Sequence, residues 1–194
     1  MSGAQAFGHN TKKKSFLYKE RNEPQRQEFL EDLADIPDDQ LVWVDECGVE
    51  ENTERLYGWA VKGNRVYGEI SGKYTHNRIS VIAAYIHKKL MAPFRFKGYT
   101  NTRVFETWVE RCLLPLLIAG QIVILDNAAF HKSLNIQRKI ESVGARVIFL
   151  PPYSPDINKI EPQWAVLKAR LRKVKYQHDS FLENLDQQLI EMGK

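Results

Sequence analysis

Two short apolar runs each lead straight into an aspartate: Leu41-Val42-Trp43-Val44-Asp45 and Gln121-Ile122-Val123-Ile124-Leu125-Asp126. The second is continuously apolar, the pattern of a strand covered on both faces, so helices have to pack on each side of the sheet. Residues 78–86 and 90–96 are two further apolar runs, split by His87-Lys88-Lys89 in the manner of a hairpin. Helical spacing recurs over 102–118 (Val104, Phe105, Trp108, Val109, Cys112, Leu113) and again over 133–143. A buried strand is expected at 145–150. A Pro-Pro-Tyr-Ser-Pro turn follows, then helices over about 158–174 and 180–192. An antiparallel opening followed by alternating strand and helix predicts an α/β fold, a mixed sheet flanked by helices. In such sheets functional groups gather at the carboxyl ends of strands, where Asp45 and Asp126 are expected.

The first 40 residues read differently from the rest. Lys12, Lys13, Lys14, Lys19, Arg21 and Arg26 form a basic arm, and Phe29, Leu30, Leu33 and Ile36 mark a linker helix that Pro37-Asp38-Asp39 ends. The domain proper is expected over 41–194. Residues 50–75 read as a loop with at most one short strand. With 43% hydrophobic and 11% aromatic residues the chain is an ordinary globular one. No apolar run approaches the ~20 residues of a membrane span, and the N-terminus lacks the apolar core of a secretory signal. Cys47 and Cys112 make neither a disulfide framework nor a metal pair. A reduced cytoplasmic setting is the expectation. A net charge of +4 and a pI near 9.0 hint at a polyanionic partner.

Asp45, Asp126 and Glu161 are each unremarkable alone. A strand-end Asp commonly caps a turn, and a Glu in the first turn of a helix complements its dipole. Together they sit where a metal site needs them. Carboxylates on neighbouring strands repel and raise one another's pKa. A divalent cation relieves that repulsion, and Mg²⁺ favours carboxylate oxygens and water. Two such ions can clamp the attacking and leaving oxygens of an in-line phosphoryl displacement.

Three blocks carry a resemblance: Val44-Asp45-Glu46, Leu125-Asp126-Asn127-Ala128-Ala129-Phe130-His131, and the run Leu150-Pro151-Pro152-Tyr153-Ser154-Pro155-Asp156-Ile157-Asn158-Lys159-Ile160-Glu161. They resemble the signature blocks of mariner-like bacterial insertion-sequence transposases, in the DDE endonuclease superfamily. Tyr57-Gly58-Trp59-Ala60 and residues 164–168 look similar too, and 34 residues separate Asp126 from Glu161, as in that family. The resemblance implies an RNase H-like fold with a mixed five-stranded sheet. It implies Asp45, Asp126 and Glu161 as the catalytic, metal-holding triad for two Mg²⁺ (or Mn²⁺) ions. It implies double-stranded DNA as partner, both transposon ends and target, a homodimer on DNA, and a nucleoid-associated bacterial protein. Lys159 departs from the family, which commonly has Pro there. About 40 residues precede Asp45, too few for the family's helix-turn-helix domains, so a fragment, a split-frame product or a decayed copy is expected.

Asn127 and His131 are supporting candidates, able to hydrogen-bond a phosphate or orient a water. Their alternative roles are a turn-capping amide and a polar helix N-terminus. Glu46 should point to the opposite strand face from Asp45, and Trp164 and Leu167 should face the core. Lys168, Arg170, Arg172, Lys173 and Lys175 follow the third carboxylate with no acid between Pro162 and Gln177, a run suited to DNA phosphates. Asn77 and Arg78 open a strand and are weaker candidates for DNA contact. Three functions remain open at this point: an active transposase, a catalytically inactive DNA-binding remnant or regulator, and another RNase H-like nuclease.

Overall fold

The structure, a computed structural model, describes residues 18–50, 60–65, 67, 78–174 and 180–194. Lys12 to Lys14, the Tyr57-Gly58-Trp59 motif, most of the 50–75 loop, Asn77 and Lys175 lie outside the described residues.

Helix α1 (Glu23–Ala34) begins at Asn22, whose side chain accepts from Gln25 N–H, and Pro24 suits its first turn. Five strands follow with two α-helices among them: β1 (Leu41–Glu50), β2 (Arg78–Ile86), β3 (Lys89–Lys97), α2 (Thr102–Trp108), β4 (Ile122–Leu125), α3 (Leu134–Ser142) and β5 (Arg146–Phe149). Helices α4 (Glu161–Val174) and α5 (Phe181–Met192) close the chain. The sheet order is β3-β2-β1-β4-β5. β1–β2 and β2–β3 pair antiparallel, β1–β4 and β4–β5 parallel. The β2–β3 turn has positive φ at both His87 (51°) and Lys88 (63°), the two-residue hairpin turn whose twist matches the strands.

Alternation along β1 divides the core. Leu41, Trp43, Cys47 and Val49 face a layer built from α1, α4 and α5, with Phe29, Leu33, Trp164, Leu167 and Leu185. Val42 and Val44 face the other layer, with Phe105, Trp108, Ile136 and Ile140 of α2 and α3. Odd and even positions thus report to different faces. α1 belongs to the first layer, so the linker helix is packed on the sheet.

Four expectations change. β1 does not end at Asp45; it runs on to Glu50, because Cys47 and Val49 keep filling the core and β2 keeps pairing. Only the pairing with β4 stops, at Trp43 opposite Ile124. The 102–118 helix breaks: α-helix gives way to a π-helical turn (Val109–Leu113) and a 3-10 turn (Leu114–Leu116), where Pro115 cannot supply an N–H. The strand at 145–150 shortens to Arg146–Phe149 and is only half-buried, being the sheet edge. The helix expected from 158 starts at Glu161, after a 3-10 turn over Pro155–Ile157. No helix among the described residues is long and apolar enough to cross a membrane.

Candidate active site

Asp45, Asp126 and Glu161 line one cavity of about 360 Å³, with Asn127, Ala128, Tyr18, Asn158 and the 150–155 turn completing its wall. β1 supplies the first carboxylate at the point where β4 leaves it. The second follows the last residue of β4, and the third is the first residue of α4. The chain brings together three acids that are far apart in sequence. Among the described residues, however, no three His, Cys, Asp or Glu side chains are arranged to grip a metal ion as they stand.

Asp45 is 8% exposed and faces the α4 layer. Its Oδ1 accepts from Glu46 N–H at 2.8 Å; its Oδ2 accepts from Trp164 Nε1–H at 3.3 Å and from Asn158 Nδ2–H at 3.4 Å. All three donors are neutral. Burial, joined by the charges of Glu46, Glu161 and Asp126 and opposed by the Glu46 N–H, pushes this carboxyl up to about 7. Glu161 is raised as well, by burial and by Asp126, against the pull of Lys168.

Asp126 is set differently. Its Oδ1 accepts from Ala128 N–H at 2.8 Å and from His131 Nδ1–H at 2.5 Å. His131, in a 3-10 turn over Ala129–Lys132, is fully buried and uses its other nitrogen, Nε2–H, to reach Glu46 Oε1 at 2.9 Å. Phe105 and Phe130 flank the imidazole, with centroids 4.3 and 4.4 Å away. Glu46 does lie on the opposite face from Asp45, and from there it holds the histidine that holds Asp126. Burial would lower the imidazole's pKa, but hydrogen bonds to the two carboxylates carry it up to about 9, so it is cationic at neutral pH. Burial likewise pushes Asp126 up; the bonds from His131 and Ala128 outweigh it and leave the carboxyl below its usual range.

Asn127 hydrogen-bonds the Leu150 carbonyl through Nδ2–H, tying the end of β4 to the end of β5 while still lining the cavity. Both nitrogens of His131 are spent on protein carboxylates. The basic residues of α4 do not share one face. At 3.6 residues per turn Lys168 and Arg172 lie on the side of Glu161, whereas Arg170 sits 3.9 Å from Glu191 of α5 and Lys173 is exposed between. Sequence reasoning missed Asn158 and Trp164 as holders of Asp45. The available signal was Trp164 itself: one turn past Glu161, it is buried as expected, yet its indole N–H needs an acceptor.

A family model described as DDE superfamily endonuclease matches residues 40–183. The chain belongs to that family. Its fold is the RNase H-like one of a mariner transposase catalytic domain, as three solved structures of similar fold show. The Mos1 transposase paired-end complex with left transposon end matches with a TM-score of 0.65 at 16% identity, over 97% of this chain and 68% of that one. The mariner Mos1 paired end complex with Mg matches with a TM-score of 0.62 at 15% identity, over 97% and 68%. The catalytic domain of Mos1 mariner transposase matches with a TM-score of 0.52 at 14% identity, over 93% and 97%. No curated protein sequence matches significantly.

Proposed function

We propose that this chain is the catalytic domain of a transposase that cuts DNA strands at transposon ends and joins the freed 3′-OH to target DNA. The observation that carries this reading is the single cavity lined by Asp45, Asp126 and Glu161. The donor chemistry fits a divalent cation: three hard oxygen donors share one cavity, and Asp45 is raised to about 7 partly by the charges of the other two. Mg²⁺ or Mn²⁺, two ions in the full reading, would be held by these three side chains after they draw closer. Bound there, the cation would supply charge neutralisation at the scissile phosphate and activation of the attacking oxygen.

The protein's own groups do the positioning. His131 and Ala128 N–H occupy Oδ1 of Asp126 and fix its orientation. Trp164 and Asn158 brace Asp45, so α4, which also carries Glu161, is tied to the strand it serves. Asn127 keeps the two parallel strand ends in register. Double-stranded DNA is the partner, held by a homodimer when engaged, with Lys168 and Arg172, on the Glu161 side of α4, as backbone contacts.

The test is strand cleavage of labelled duplex carrying the terminal sequence that flanks the gene, with and without Mg²⁺. Cleavage that needs the cation and vanishes in Asp126→Ala is the expected result; cleavage that survives the substitution contradicts it. The carboxylates' present separation favours one rival, a non-catalytic DNA-binding regulator. Salt-sensitive binding that persists in Asp126→Ala, with no cleavage by the unmutated chain, would establish that rival.

A further inference from the structure

Beyond the carboxylate cavity, β1, β2 and α4 enclose a second one of about 180 Å³, lined by Gly48, Val49, Glu50, Arg78, Lys168 and Leu171. Arg78 is set into it in a particular way. One face of its guanidinium lies on the backbone of Gly48, so closely that a Cβ there would come within 2.6–2.8 Å of Nη2, Cζ and Nε. The ring of Tyr99 covers the guanidinium with its centroid 4.8 Å from Cζ. A guanidinium packed against a glycine backbone and an aromatic ring has its plane restrained and offers its edge. That edge is the fork that matches two oxygens of a phosphate. Lys168 adds a second cation to the same cavity.

The cavity's distance from the carboxylates follows from two independent elements. Gly48 is three residues past Asp45 on β1, about 10 Å at the strand rise. Lys168 is seven residues past Glu161 on α4, two turns along the same face and again about 10 Å. The two steps are equal in length but reach the cavity from opposite sides of β1: Gly48, at an even position, carries the Arg78 guanidinium on the α2–α3 face, and Lys168 arrives from the α4 face. Projected on a duplex axis with about 3.4 Å of rise per nucleotide, either step spans at most about three nucleotides.

We propose that Arg78 and Lys168, with Gly48 and Tyr99 holding the guanidinium plane, form a binding site for one backbone phosphate of the strand being processed, within about three nucleotides of the scissile phosphate. The inference rests on the proposed function, since it presumes DNA over the carboxylates. It assigns to Gly48 the role of leaving room for Arg78. Glu50 lines the same cavity and faces Arg78 in the β1–β2 register. Its carboxylate adds negative charge to the cavity, which opposes phosphate binding.

The test measures DNA binding without divalent cation, which removes cleavage from the readout. Terminal-sequence duplexes each carry one uncharged methylphosphonate, at one to five positions on either side of the scissile phosphate. For the unmutated chain, one position should weaken binding about tenfold. In Arg78→Ala that penalty should disappear, and the slope of log affinity against log salt should shrink by about one unit. Arg78→Lys, which keeps the charge and loses the fork, should recover the salt slope and only part of the affinity. Glu50→Gln should tighten binding. Urea unfolding of each variant separates loss of fold from loss of contact. The same methylphosphonate profile in Arg78→Ala and the unmutated chain would overturn the proposal, as would absence of DNA binding. Loss of Mg²⁺-dependent cleavage with an intact profile would overturn the transposase reading and leave this site standing.

Discussion

Asp45 and Asp126 lie on neighbouring parallel strands and line the same cavity, yet the protein treats them in opposite ways. Asp45 is buried against α4 and receives only neutral donors, and its carboxyl rises to about 7. Asp126 is more open to solvent, with 43% side-chain exposure, and is bonded to a histidine that a third carboxylate keeps protonated. One half of the site therefore holds uncompensated negative charge, and the other carries its countercharge within the fold. The contrast teaches that the two strand faces do different work. In the proposed reading the α4 face would create the demand for a cation, and the α2–α3 face, through Glu46 and His131, would fix the geometry that meets it.

The largest effect should erase the contrast. Asp45→Asn and Asp126→Asn should each lower Mg²⁺-dependent cleavage by about 10³-fold, the scale of several kcal/mol of lost charge stabilisation. Single-turnover cleavage of labelled duplex measures it, and a variant within tenfold of the unmutated rate would show that the halves are not both needed.

The two halves should next separate in stability against pH, measured by urea unfolding in EDTA. A carboxyl whose pKa is higher folded than unfolded binds its proton more tightly in the fold. The Asp45 contribution is then complete below about pH 4 and falls until about 7. Asp45→Asn should stabilise the metal-free protein at pH 8, by on the order of a few kcal/mol at most, and change little at pH 4. His131 behaves as a raised base: its contribution is complete below about 6.5 and is lost as pH rises through about 9.

Removing His131 attacks the other half alone. His131→Ala leaves Glu46 without its partner beside Phe105 and Phe130, and should cost about 2 kcal/mol at pH 7, discounted for the exposure of Asp126. A destabilisation no larger than that of Glu46→Gln would deny the bridge its role.

The smallest effect belongs to Lys159. Its ammonium bonds exposed Asp38 at 2.5 Å and lies 5.6 Å from the Trp43 ring centroid. Exposed pairs of this kind contribute little. Lys159→Pro should change unfolding free energy by less than about 1 kcal/mol, with cleavage unchanged.

Much of this was legible in the chain. The apolar runs before Asp45 and Asp126 marked two strands, the His87-Lys88-Lys89 break marked the hairpin, and the Pro-Pro-Tyr-Ser-Pro turn marked a helix to follow, three residues later than expected. What stayed hidden depended on tertiary partners. That β1 continues past Asp45 turns on Cys47 and Val49 finding the core across a glycine, which periodicity alone does not reveal. The break at Val109–Leu113 occurs inside a stretch whose apolar spacing suits an unbroken helix, with Pro115 the one local warning. The bridge from Glu46 through His131 to Asp126 joins positions 85 residues apart, and no local pattern encodes such a pair. Asn127 read as either ligand-facing or structural; its bond to the Leu150 carbonyl places the amide between strand ends.

The central claim is that Asp45, Asp126 and Glu161 close on a divalent cation. Calorimetric titration of the DNA-free protein with Mn²⁺, beside Asp45→Asn, Asp126→Asn and Glu161→Gln, tests it most directly. Saturable binding that Mg²⁺ competes away, and that each of the three substitutions weakens about tenfold or more, is the result the account predicts. Absence of binding, or binding that all three variants retain, would contradict it.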